Sequence, residues 1–359
     1  MEYVKLEEIC TIVSGGTPSR SKSDYWNNGN IPCIKIKDMK SKYIDSAEEF
    51  ITEEGLNNSS TKMLKSDTIL YSIFATLGEV GILKIDACTN QAIAGLSLKE
   101  DSNILKEYLY YYLKSKKKDV NNLGRGVAQN NINLSLLRKF RIPVIPLHQQ
   151  KKIIEVLDNV SSTINNYERE LALLDELVKA RFVEMFGEIE DCDKWESKIW
   201  NEVVTIKNGR DYKKVLVSDG GYPVVGTGGE IARASKYLCP ENTIVVGRKG
   251  SINNPMLMKE KFWNVDTAFG VIPNSDYLHY QYFYCFCKFY NFMKLNKATT
   301  LPSTTKADLL KIRINIPPLE LQNQFASFVQ EIDKSRSRIQ KSLEASQELF
   351  DSLMQEYFG

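Results

Sequence analysis

The feature that most constrains this chain is an internal repeat with a fixed offset of 172 residues. IPLHQQKKIIEVLDNV, beginning at Ile145, matches PPLELQNQFASFVQEI, beginning at Pro317. At that offset Pro146, Leu147 and Gln150 fall on Pro318, Leu319 and Gln322. Without a gap, Leu171, Glu176 and Leu177 then fall on Leu343, Glu348 and Leu349, and Phe186-Gly187 falls on Phe358-Gly359. A repeat of this length means one structural unit built twice, so the fold must be read as two copies. The preceding portions repeat more loosely: DTILYS at Asp67 with NTIVVG at Asn242, NQAIAGLSL at Asn90 with VDTAFGVIP at Val265, EYLYYYLKS at Glu107 with QYFYCFCKF at Gln281.

The repeated segments are helices by pattern. Apolar residues of the first fall at Ile153, Leu157, Val160, Ile164, Tyr167, Leu171, Leu174 and Val178. Those steps of four and three are a coiled-coil heptad seam. The copy gives Phe325, Val329, Ile332, Arg336, Ile339, Leu343, Ser346, Phe350, Leu353 and Tyr357, with Arg336 and Ser346 interrupting the apolar row. Pro146 and Pro318 suit helix starts and Gly187 a helix stop. A helix of roughly 38 residues spans about 57 Å, and one so long and amphipathic needs a partner. The other copy is the obvious candidate.

The rest of each half reads as short strands separated by turns: IPCIKI, TILYSIFAT, YPVVG and NTIVVG between SGGTP, NNGN, GTGGE, RKGS and NNP. The expected class is α+β, with two pseudo-symmetric β-rich units at 1–145 and 198–317, helices at 146–187 and 318–359, and an acidic connector at 188–197. A chain of 359 residues exceeds the usual size of one core, in keeping with two domains. The N-terminus lacks the basic start and apolar run of a signal peptide, and no apolar run is long enough to span a bilayer, so a cytoplasmic protein without membrane contact is expected. Seven scattered cysteines form no CxxC pair, and His148 and His279 are the only histidines, so neither a metal site nor a disulfide framework is signalled.

Net charge is only +2, but it is segregated. Residues 1–145 carry +3 and 195–317 carry +7, whereas 146–194 carry −5 and 318–359 carry −3. Basic modules on acidic helices suit phosphate contact at the modules and protein contact along the helices. Basic, amide and hydroxyl side chains gather at turns. In the first unit these are Thr17, Ser19, Arg20, Lys22, Lys35 and Lys37, then Arg125, Gln129, Asn130 and Asn131, the last group following a triple lysine at 116–118 that reads as a solvated helix end. In the second they are Arg210, Tyr212 and Lys213, then Arg248, Lys249 and Ser251, then Thr300, Ser303 and Thr304. Lysines and loop amides grip phosphates, while Arg, Gln and Asn read base edges through paired hydrogen bonds.

Two copies of a turn-rich β unit, then LLRKFRIPVIPLHQQKKI or LLKIRINIPPLELQNQFA, then a heptad helix ending in Phe-Gly, resemble the DNA-specificity subunits of type I restriction–modification systems. The resemblance covers essentially the whole chain. It implies that each β unit is a target-recognition domain reading one half of a bipartite double-stranded DNA target. It further implies an antiparallel helix pair whose length sets the half-site spacing, docking of two modification (methyltransferase) subunits, and restriction subunits that could then join. The chain itself would be non-catalytic and carry no cofactor. The two copies differ where IFATLGEVG at 73–81 faces RKGSINN at 248–254, as different half-sites would require.

Other classes fare worse. An adenine methyltransferase needs an Asn/Asp-Pro-Pro-aromatic motif, and Asn253-Asn254-Pro255-Met256 lacks the second Pro and the aromatic residue. GTGGE at 226–230 lacks GxGxxG spacing, and no phosphate-binding P-loop occurs. Glu196-Ser197-Lys198 has the local form of a nuclease tripeptide but reads as part of the connector, without strands to present it. A coiled-coil scaffold without DNA contact would explain the helices and leave the paired basic units unexplained.

Overall fold

The computed structural model describes residues 2–124, 131–189, 194–298 and 300–359, with 122–124 as backbone alone. The chain divides into two compact units, Met1–Asn165 with Leu343–Gly359, and Asn166–Ser342.

In the first unit a five-stranded sheet runs in the order Cys10–Ser14, Ile93–Leu98, Ile69–Ser72, Val80–Leu83, Tyr43–Ile44. Its pairs are antiparallel except the last. A three-stranded sheet orders Phe50–Ile51, Ile31–Ile34 and Cys88–Thr89, the last two parallel. Glu2–Lys5 pairs with Arg141–Val144. The second unit repeats this plan. Val204–Asn208, Ala268–Pro273, Thr243–Gly247 and Met256–Met258 form the larger sheet's counterpart. Leu216–Val217, Gly229–Ala234, Tyr222–Gly226 and Trp263–Asn264 form the other, again with one parallel pair. Ser197–Ile199 pairs with Arg313–Asn315. The central strands ILYS and TIVVG are buried at every residue, which is why they read as continuous apolar runs rather than alternating ones.

Each larger sheet is covered by its aromatic helix, Lys106–Ser115 or Tyr280–Phe289. Six consecutive residues of the first, Tyr108 to Leu113, are buried, so this helix is enclosed on all sides rather than amphipathic. The Tyr108 hydroxyl donates to the Pro143 carbonyl at 3.2 Å and Tyr282 to Asn315 at 2.9 Å, the same bond in both copies. Of the two histidines, His279 caps the second aromatic helix instead of lying within it: its Nδ1 accepts from the Gln281 N–H at 3.1 Å, and burial holds its pKa below the ordinary value. His148 is exposed in the first turn of a long helix.

Both repeated segments are helices of 40 residues, Leu147–Phe186 and Leu319–Phe358. In the first unit Ile153 and Leu157 share a core with Phe350, Leu353, Met354, Tyr357 and Phe358. In the second, Val178, Phe182 and Phe186 share one with Phe325, Val329 and Ile332. In each unit, therefore, the start of one long helix lies beside the end of the other, an antiparallel pairing. The seam positions Ile153, Val160, Ile164, Leu171, Leu174, Ile332, Ile339 and Phe350 are half-buried, and Leu157, Phe325, Val329 and Leu343 are buried. Arg336, which interrupts the apolar row, reaches Asp175 of the facing helix at 3.0 Å. Gly187, with φ of +87°, closes the first helix, and its N–H donates to Val183 at 2.8 Å.

The repeated glutamine of the joint is a buried lock. Gln150 accepts from the Leu105 N–H at 2.8 Å and donates to the Asn103 and Ile145 carbonyls at 2.7 and 2.8 Å. Gln322 accepts from the His279 N–H at 2.7 Å and donates to Tyr277 and Pro317 at 2.9 and 2.8 Å. Each ties the start of an aromatic helix to the start of a long one.

Candidate nucleic-acid interface

At one end of each larger sheet two loops converge, and the convergence is built the same way twice. In the second unit the loop after Thr243–Gly247 is zipped to 302–304. Lys249 pairs with Ser303, the Thr304 N–H donates to the Arg248 carbonyl at 3.0 Å, and the Gly250 N–H to Pro302 at 2.9 Å. In the first unit the loop after Ile69–Ser72 meets 131–132: Phe74 pairs with Asn131, and the Ile132 N–H donates to Ile73 at 2.9 Å. Left-handed residues fall at matching places, Asp67 (φ +69°) with Asn242 (φ +57°), and Ala75 (φ +63°) with Gly250 (φ +83°).

A third chain segment enters each cluster through a glycine at which any side chain would meet backbone. The Gly15 N–H donates to Ile93 at 3.0 Å and the Gly209 N–H to Ala268 at 3.2 Å. A Cβ on Gly15 would collide with the Asn90 carbonyl, and one on Gly209 with that of Val265. The turn signal SGGTP and the segment NGRD at 208–211 therefore each hold a close backbone crossing.

In the second unit these loops line an open cleft of about 490 Å³, bordered by Asn208, Arg248, Lys249, Ser303, Thr305 and Lys306 among others. Arg248 and Lys249 are exposed, and neither enters an ion pair among the described residues. The Arg248 guanidinium donates to the Asp266 carbonyl at 3.2 Å. Ser303 is half-buried, Ser251 and Thr300 are exposed, and Thr304 is buried, its hydroxyl donating to Gly247 at 2.8 Å. Thr304 also borders the cleft, but its hydroxyl is engaged by the Gly247 carbonyl and helps hold the loops together. Arg210 and Lys213 are exposed and Tyr212 half-buried; Tyr212 packs with Val224 and Trp263, and the Arg210 carbonyl accepts from the Trp263 indole at 2.9 Å. The cleft residues Asn208, Thr305 and Lys306 were not singled out from sequence; only the tertiary fold brings them to one place.

The first unit treats its cations differently. Arg20 stacks 3.5 Å from the Trp26 ring and pairs with Glu49 at 2.5 Å. Lys35 also pairs with Glu49, and Lys37 with Glu48. Burial would raise the Glu49 pKa, but the bonds from Lys35 and Arg20 overcome it and hold the carboxyl below the usual range. Lys22 donates to the Tyr25 hydroxyl at 2.9 Å, which raises its pKa. Thr17 bonds Gln91, Ser19 and Asn131 are exposed, and Arg125, Gln129 and Asn130 lie outside the described residues. Two lysines of the triple run are tied down rather than solvated, Lys116 donating to the Phe358 carbonyl at 2.7 Å and Lys117 pairing with Glu79 at 2.6 Å, while Lys118 is exposed. The acidic partners Glu48 and Glu49 carried no local signal in the sequence.

Features of the rival classes have structural uses. The Asn253 side chain accepts from the Phe292 N–H at 2.8 Å. Lys198 pairs with Glu196 at 2.6 Å, and Ser197–Ile199, expected to lack a strand partner, is in fact paired. Among the described residues no group of three His, Cys, Asp or Glu could hold a metal, and no helix is long and apolar enough to cross a membrane.

Comparison with known proteins gives concordant matches. The family model described as "Type I restriction modification DNA specificity domain" matches residues 1–175 and again 192–347. The specificity subunit of the type I restriction enzyme EcoR124I/EcoR124II of Escherichia coli is 34% identical over 46% of this chain and 42% of its own length. The MjaIX specificity subunit of Methanocaldococcus jannaschii is 24% identical over 98% of this chain and 90% of its own. A crystal structure of the type I restriction–modification S subunit from M. genitalium superposes with a TM-score of 0.60 at 16% identity, over 100% of this chain and 96% of that one.

Proposed function

The chain belongs to the type I restriction–modification DNA specificity family, and on that premise we propose that its two loop clusters each read one half of a bipartite duplex target. It is the specificity component of such a system and leaves catalysis to other subunits. The observation that supports the reading best is the duplicated loop cluster: the same backbone zipper at equivalent sheet ends, carrying different side chains. Shared backbone gives a shared way of meeting a duplex, and altered side chains give different sequences.

In the second domain, Arg248 and Lys306 at the cleft supply cations for phosphate, with Lys249, Ser251, Ser303, Asn208 and Thr300 within reach of bases. In the first, Lys22, Ser19, Thr17 and Asn131 border the corresponding loops. Arg20, Lys35 and Lys37 give up Glu48 and Glu49 when they engage phosphate, so their contribution to affinity is smaller than their charge suggests. The domains in this reading are 1–145 and 198–317, with 146–187 and 318–359 as spacer helices and 188–197 as connector.

The helices set the spacing of the half-sites and present one repeated surface to two copies of a modification subunit. Leu177 and Leu349 occupy equivalent repeat positions and are 46% and 51% exposed, so each long helix offers an apolar point at the same place in the repeat. The same assembly, placed in the cytoplasm in this reading, leaves room for restriction subunits to join.

Mapping methylated adenines across the genome of cells carrying the modification subunits, with and without this gene, tests the reading. One asymmetric two-part motif should depend on the gene. Replacing 1–145 by the corresponding domain of a relative should alter one part alone. A motif that persists without the gene, or loss of both parts on replacement, would overturn it.

A further inference from the structure

Equivalent loop tips in the two domains carry chemically opposite residues, and this contrast goes beyond the general reading of half-sites, on which it rests. Two backbone features fix the equivalence, a bridge with the hydrogen bond that forms it and a left-handed corner. Phe74 bridges to Asn131 as Lys249 bridges to Ser303, Ile73 accepts from Ile132 as Arg248 accepts from Thr304, and Ala75 and Gly250 both take left-handed backbone. Phe74 therefore stands where the second domain places an exposed cation.

Phe74 is 47% exposed and belongs to no hydrophobic cluster or ring contact among the described residues. A lone exposed aromatic is unremarkable on a mobile loop, but this loop is held rigidly. The Ser72 hydroxyl donates to Thr76 at 2.5 Å and accepts from the Glu79 N–H at 2.7 Å. The Gly78 N–H donates to Ser72 at 3.1 Å, and the Asn121 side chain to Leu77 at 3.2 Å. Leu77, two residues beyond the tip, is buried while Phe74 is not. At the tip, Ala75 holds the conformation for which its counterpart uses glycine, so the loop keeps a strained corner with a side chain on it. A phenyl ring fixed in solvent by a hydrogen-bonded loop is preorganised to meet an apolar surface.

On a DNA duplex the apolar feature that distinguishes one base pair from another in the major groove is the thymine 5-methyl group. We infer that Phe74 is a specificity-determining residue that contacts a thymine methyl in the half-site read by the first domain. Lys249, at the same place in the second domain, suits acceptor atoms on a base edge instead. The two halves of the target thus differ in chemistry at equivalent positions.

The test uses the full chain assembled with its modification subunits. A randomised duplex library is first selected by binding, then the selected duplex is remade with deoxyuridine replacing thymidine at single positions. Loss of one buried methyl contact corresponds to about a fourfold weakening. Such a loss is expected at one thymine of one half for the natural chain. Phe74→Ala should bind the thymine duplex about fourfold more weakly and show no further loss with deoxyuridine at that position, while Phe74→Tyr keeps the ring and the discrimination. Selection at the other half serves as the folding control. If the natural chain selects a two-part motif but no deoxyuridine substitution matters, or Phe74→Ala selects and discriminates as the natural chain does, this inference fails and the half-site reading stands. If the natural chain selects no motif, both fail.

Discussion

Replacing Gln150 by leucine should destabilise the first unit by about 3 kcal/mol, and the figure follows from the bonds the amide makes. Gln150 is fully buried and forms three hydrogen bonds, all to backbone groups. Leucine nearly matches its volume but leaves the Leu105 N–H and the Asn103 and Ile145 carbonyls without their partner. At roughly 1–1.5 kcal/mol for each such loss the cost is about 4 kcal/mol. The extra apolar surface of leucine returns about 1 kcal/mol. For a unit of about 180 residues that net loss lowers the melting temperature by about 9 °C. Thermal unfolding of the full chain followed by calorimetry reads this directly, and amide exchange at Leu105 should quicken in the same variant. Gln322→Leu should do the same to the second unit through the His279 N–H. Gln150→Glu keeps the acceptor and loses both donations, so it should be no milder. Melting within about 2 °C of the natural chain for both leucine variants would refute the lock, since two buried amides with three bonds each cannot vanish at no cost.

Three further outcomes follow from the same structure. Gly209→Ala should cost about 2 kcal/mol because its Cβ meets the Val265 carbonyl, while Gly228→Ala, which meets nothing within 4 Å, should be neutral; equal melting temperatures for the two would contradict the close crossing. Burial acts to raise the Asp175 pKa, but Lys288 and Arg336 hold it below the ordinary carboxylate value of roughly 3.9. Its contribution is thus present above that value and lost as pH falls through the depressed one, so Asp175→Asn should lower stability at neutral pH by about 0.5 kcal/mol, with the difference disappearing in acid. Arg248→Ala should weaken binding to random and selected duplexes alike and reduce the slope of log K against log salt by about 0.9; lost selectivity at an unchanged slope would make Arg248 a base reader instead.

Much of this protein was legible from its residues because repetition converts weak local signals into strong ones. The offset of 172 marked Gln150 and Gln322 as equivalent, and heptad spacing marked the long helices, since apolar steps of four and three sustained over many turns have one structural meaning. Alternating glycine-rich turns and short apolar runs gave β-rich units, and the joint motif gave the family. What the chain alone could not show was which side chains near those turns are available. Arg20, Lys35 and Lys37 looked like free cations until Glu48 and Glu49 came to lie against them, and Thr304 looked like a loop hydroxyl until it was buried under Gly247. Phe74 went unnoticed because an aromatic residue beside an apolar strand reads as core. Exposure and ion pairing are properties of contacts between segments distant in sequence, and only the packed fold decides them.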